Sequence, residues 1–145
     1  MKLNSKEFSY IVHLAMSGYC GVFAIELSKA FGYEIIGFVD QHGWLSHFCC
    51  RSEQGLIDAN GYGLTINEVS ERYIHHGTLS LALYSIQEVE KLLEQDAGLG
   101  ALDPPGYRAA LQSLFKSEFW LRWQEKGRAL IDKNSGTQHR QIITN

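Results

Sequence analysis

Three residues suited to nucleophilic catalysis follow one another along the chain: Cys20, His47 and Asp58. A thiol attacks only as its thiolate, a base must take its proton, and the base needs an acceptor that decides which ring nitrogen faces the sulfur. Cys20 opens the run CGVFAIELSKAF, in which Phe23, Leu27 and Phe31 share one helical stripe ahead of Gly32. The sulfur is thus expected at a helix N-terminus, where unpaired N–H groups and aligned peptide dipoles favour the anion. Gly18 and Gly21 flank it and would let the chain turn and a substrate carbonyl come close to the backbone. Position alone also allows Cys20 to be a small core residue that begins a packed helix. A lone His or Asp on a strand is likewise more often structural; the three together favour catalysis.

The elements that must position them are legible as patterns. Asn4 and Glu7 have capping-box spacing and precede Phe8, Ile11, Val12 and Ala15 at helical intervals, which predicts a first helix over 5–16. YEIIGFV at 33–39 and the segment 43–51 read as strands, and GLIDA at 55–59 as a third. A polar loop over 51–54 makes the last two a hairpin, in a register that sets His47 directly opposite Asp58. Thr65 with Glu68, and Ser85 with Glu88, predict two more capped helices, to about Tyr73 and Gln95, with a strand over 79–84 between them. Asp103 and Pro104 mark the start of a last, long helix carrying Leu111, Phe115, Phe119 and Trp123. Phe115, Phe119, Trp120 and Trp123 read as core; Trp120 lies off the main stripe and, if exposed, would mark a protein contact. The expected architecture is a single α+β domain over 1–132, with N-terminal helices on a small antiparallel sheet and a flexible tail over 133–145.

The stretches SGYCGVFAIEL, HF and GLIDANG resemble the Cys/His/Asp core shared by papain-like peptidases and transglutaminase-like proteins. They are most similar to compact bacterial and phage members with a G-x-C-x-x-x-A stretch, here Gly18, Cys20 and Ala24, and a D-x-x-G end, here Asp58 and Gly61. The resemblance covers about residues 17–62. It implies Cys20 as nucleophile, His47 as base and Asp58 as the residue that orients the base. No Gln shortly precedes Cys20 to serve as a papain-type oxyanion donor. The Cys20 N–H with Tyr19 or His13 is the remaining candidate, and Asn60 is an alternative to Asp58 as orienter.

Composition narrows the rest. At 145 residues, 45% hydrophobic and 20% charged, the chain suits one packed domain. A formal charge of -3 offers no general attraction for nucleic acid, and the basic residues Lys126, Arg128, Lys133 and Arg140 are spread through a polar, solvated tail. Adjacent Cys49 and Cys50 with Cys20 make an odd set, better suited to strand packing than to disulfides. No apolar run is long enough to cross a membrane, and a cytoplasmic setting, in the protein's own cell or a host's, fits best. His75 and His76 lack metal-site spacing and read as a polar turn, while Gly55, Gly61 and Gly63 form no phosphate loop, so neither metal nor cofactor is indicated. Two functions are in view. The first is a cysteine-dependent acyl-transfer enzyme acting on an amide in a protein or peptide, as peptidase, deamidase or transglutaminase-like transferase. The alternative is a non-catalytic binding module on the same scaffold, such as a phage- or toxin-associated inhibitor of a host protein.

Overall fold

A computed structural model describes residues 5–16, 19–73, 80–95, 106–122 and 124–125. Helix α1 (Ser5–Met16) and helix α2 (Cys20–Phe31) come first, as their periodicity requires. Strands β1 (Glu34–Val39), β2 (Leu45–Ser52), β3 (Gly55–Asp58) and β4 (Gly61–Leu64) follow as a meander. Helix α3 (Ile66–Tyr73), strand β5 (Ser80–Tyr84), helix α4 (Ile86–Gln95) and helix α5 (Tyr107–Phe115) complete the order. The sheet is antiparallel in the order β4-β3-β2-β1-β5, so the protein is α+β. No single helix among the described residues is long and apolar enough to cross a membrane.

α2 is the central element. Its residues Gly21 to Leu27 are all buried, because β2 and β1 cover one side and α1, α4 and α5 the other. Alternation along the strands sorts two cores. Ile35, Phe48, Cys50 and Ile57 join α2 and the other helices, while Ile36, Phe38, Cys49 and Leu56 pack on the opposite side with Val69 of α3. Both expected capping boxes form: Thr65 and Glu68 exchange bonds of 2.9 and 3.0 Å, and Ser85 and Glu88 bonds of 2.9 and 3.1 Å. Asn4, Gly18, the Asp103–Pro104 start and the segment 133–145 lie outside the described residues.

The β2–β3 turn differs from the sequence expectation. It holds two residues, Glu53 and Gln54, because the Ser52 hydroxyl donates to the Gly55 carbonyl at 3.1 Å and accepts from the Gln54 N–H at 3.1 Å. Ser52 is thereby drawn into the strand opposite Gly55. Gly55 has φ of 130°, and a Cβ there would stand 2.8 Å from the Leu64 carbonyl oxygen. Gly55→Ala is therefore expected to lower the unfolding free energy by about 1–3 kcal/mol, with an unchanged denaturant m-value in urea titration.

The single long C-terminal helix is interrupted. α5 ends at Phe115, where Ser117 turns the chain by donating its hydroxyl to the Leu114 carbonyl at 2.6 Å and accepting from the Trp120 N–H at 3.2 Å. Residues 118–122 are helical again. This break swings Trp120 inward, fully buried against Phe115 and Phe23, so it is core and not a protein contact.

Candidate active site

The chain reversal at Gly32 (φ 76°) runs β1 back alongside α2. Twelve helical residues rise about 18 Å and six strand residues about 20 Å, so Val39 returns to the level of Cys20. β2 departs from that level and β3 comes back to it. The N-terminus of α2, the β1–β2 loop and the β3–β4 turn therefore share one end of the sheet.

Tyr19 is the N-cap of α2, without a side-chain cap, and the first helical bond runs from the Phe23 N–H to its carbonyl at 3.0 Å. Cys20 is thus the first helical residue, partly buried, with the positive end of the helix beside it. On β2 the register slips between Phe38 opposite His47 and Val39 opposite Leu45, which makes Ser46 an extra residue. Such a bulge bends the strand and re-aims a side chain. Leu45 stays with the α2-side core, and the His47 ring lies beside Phe38, centroids 6.2 Å apart.

His47 and Asp58 are almost wholly buried, and His47 Nε2 lies 3.0 Å from Asp58 Oδ2. They share a face but are not directly opposite. Cys50 pairs with Ile57 and Arg51 with Leu56, so extending the ladder sets Cys49 opposite Asp58 and His47 two residues further along the same face. The expected register is off by two residues, an even number that preserves the face, and an imidazole spans the diagonal.

With Nε2 committed to Asp58, Nδ1 is the ring nitrogen left to serve the thiol; Cys20 and His47 are near enough for their charges and hydrogen-bonding capacity to shift each other's pKa. The Phe48 backbone amide, just past the end of the β2–β3 ladder, also favours the thiolate. Burial alone would raise the Cys20 pKa. The His47 hydrogen bond and charge, together with the Phe48 N–H, outweigh burial and the opposing Asp58 charge and hold the thiol below its ordinary 9.0. Burial would likewise lower His47, but its bonds to Asp58 and Cys20 and the charges of both raise it to about 9. These opposite shifts move the pair toward thiolate and imidazolium. The other two cysteines lack such support: burial, with lesser contributions from Asp58, Cys50 and Cys20, pushes Cys49 well up, and burial pushes up Cys50, whose thiol donates to the Ala24 carbonyl at 3.4 Å.

Comparison with known proteins finds no family model, no curated protein and no solved structure that matches the chain. The site is read from its own residues.

Asn60 lies in the two-residue turn between β3 and β4 rather than on a strand, and it is its backbone N–H that donates to Asp58 Oδ1, at 2.7 Å. Asp58 therefore faces His47 and Asn60 pins Asp58. The Tyr19 ring stands edge-on to Tyr107 at 5.9 Å, in a packing role, and His13 is exposed in the last turn of α1. Gly21 permits close packing instead of substrate approach: a Cβ there would meet Leu93 at 3.0 Å and Phe48 at 3.3 Å. His75 and His76 lie outside the described residues. Among the described residues, no three His, Cys, Asp or Glu side chains converge as a metal site.

Sequence reasoning missed two parts of this end. The Phe48 N–H is backbone and leaves no residue-type signal, whereas the β3–β4 hairpin had a local one in Asn60 followed by Gly61, residue types that favour turns. A cleft of about 530 Å³ lies at the opposite end of the sheet, where Arg51 pairs with Glu34 and Gln54 accepts from the Tyr62 hydroxyl at 3.1 Å.

Proposed function

We propose that this chain is a cysteine-dependent acyl-transfer enzyme acting on an amide, with a papain-like or transglutaminase-like core. The observation that carries the reading is buried His47, its Nε2 3.0 Å from Asp58 Oδ2 and its charge and hydrogen-bonding capacity holding the Cys20 thiol down. Cys20 Sγ attacks the amide carbon, forming a C–S bond while the carbonyl π pair moves onto oxygen. The helix N-terminus favours that negative charge. Collapse breaks the C–N bond, and His47 delivers its Nδ1 proton to the leaving amine. The resulting thioester is taken by water or by a second amine; in each case His47 removes the acceptor's proton and Cys20 leaves as thiolate. Water gives a peptidase or deamidase, an amine a transferase. A binding module on this scaffold has no need of an activated thiol, so the depressed Cys20 pKa favours the enzyme.

The test needs no substrate. Limited iodoacetamide near pH 6, with peptide mass mapping, is expected to label Cys20 while Cys49 and Cys50 stay unmodified until denaturant is added. The pH midpoint of Cys20 labelling should lie below that of a free thiol and move upward in His47→Ala, because the variant loses the positive partner of the thiolate. Amide turnover should instead decline above about pH 9, as His47 loses the proton it must donate. A native Cys20 that reacts only after unfolding, or a labelling profile indifferent to His47, would return the chain to the binding-module class.

A further inference from the structure

The β1–β2 loop lies at the Cys20 end of the sheet, since Val39 and Leu45 flank it at the level of the α2 N-terminus. At its end stands Trp44, three residues before His47 and 73% exposed, more than the other exposed large hydrophobics among the described residues. Three residues of strand span at most about 10 Å, so Trp44 stands within about that distance of His47 along the chain. An exposed Trp is ordinarily a poor use of a large apolar surface and is enriched where another molecule is bound.

The loop is also held in one shape. Asp40 Oδ1 accepts from the N–H groups of His42 at 2.8 Å and Trp44 at 3.0 Å, and the Asp40 N–H donates to the Trp44 carbonyl at 2.9 Å. Gly43 takes φ of 79°, which a glycine adopts without strain. The indole is therefore displayed by a preorganised turn. Asp40 is the one acidic residue from 40 to 44, no Lys or Arg is present there, and the Asp40 carboxylate is turned onto the loop's own amides. What the loop offers a ligand is an aromatic face rather than a charge.

We infer that Trp44 is a specificity-determining residue of the Cys20 site, binding an aromatic or large apolar side chain that flanks the attacked amide in a peptide substrate. This inference rests on the acyl-transfer reading and adds the substrate class to it. Trp44 itself does no chemistry; it lengthens the residence of the right peptide over the thiolate.

The experiment uses three chloromethyl ketones, acetyl-Gly-Gly, acetyl-Phe-Gly and acetyl-Gly-Phe, on the full chain. In each, the Cys20 sulfur forms a C–S bond at the methylene carbon as chloride leaves. One Phe-bearing probe is expected to inactivate Cys20 about tenfold faster than the Gly-Gly probe, mainly through tighter initial binding. Trp44→Ala should erase that preference, Trp44→Phe should retain much of it, and the iodoacetamide rate at Cys20 should be the same in all three proteins. Equal rates for the three probes on the wild type, or a Phe preference that survives Trp44→Ala, would overturn the inference while leaving the acyl-transfer reading in place. A wild-type Cys20 inert to iodoacetamide overturns both.

Discussion

Asp58→Asn is expected to fold and to lose activity on the order of 10⁴-fold, the drop that follows when a catalytic histidine loses its orienting carboxylate. The geometry gives the reason. Asp58 Oδ1 accepts from the Asn60 N–H at 2.7 Å, and Oδ2 faces His47 Nε2 at 3.0 Å. In the variant, the amide oxygen keeps the first bond and the NH₂ group takes the position facing His47. Two N–H donors cannot bond to each other, so the ring is driven to the tautomer that carries its proton on Nδ1, the wrong nitrogen for a base. The imidazolium, now beside a neutral amide in a buried site, also loses the charge that helped raise its pKa to about 9. Amide turnover should fall, and the pH midpoint of Cys20 alkylation should rise, while circular dichroism stays unchanged. Asn60→Ala should be mild, because Asn60 holds Asp58 through its backbone N–H, which alanine keeps. If Asn60→Ala were the more damaging of the two, the orienting role would belong to Asn60.

Trp120→Ala should lower the unfolding free energy by about 3–5 kcal/mol, the usual cost of truncating a buried large aromatic. Trp120 is fully buried, its ring 4.8 Å from Phe115 and 6.2 Å from Phe23 by centroid, and so ties the residues after α5 to α2. Urea denaturation measures the loss, and Trp120→Phe should recover part of it by refilling the cavity. Phe23 lies within one turn of Cys20, so loosening this cluster should also reach the site. Partial loss of the Cys20 labelling advantage, at denaturant concentrations that leave the wild type intact, is the expected sign. A Trp120→Ala protein as stable as the wild type would mean that this cluster does not hold the C-terminal residues to α2.

Local chemistry was legible residue by residue. Phe8, Ile11 and Ala15 announced α1, Gly32 ended α2, and Thr65 with Glu68 and Ser85 with Glu88 marked two helix starts, because helical period and capping act within four residues. The face shared by His47 and Asp58 was legible too, since any even slip of a hairpin preserves it. β4 was passed over: in GYGL two glycines dilute the strand pattern, and only its pairing with β3 makes it one.

Three things were decided by tertiary structure. The Ser52 hydroxyl set the two-residue turn and hence the diagonal His47–Asp58 bond. The break at Ser117 turned Trp120 from an off-stripe residue into core. The Cys20 pKa was decided by the balance of burial against His47, Phe48 and Asp58, groups 27 to 38 residues away in the chain. Residue type and spacing name the groups that can do chemistry, but a pKa answers to distance and dielectric, and those exist only once α2 is laid across β2.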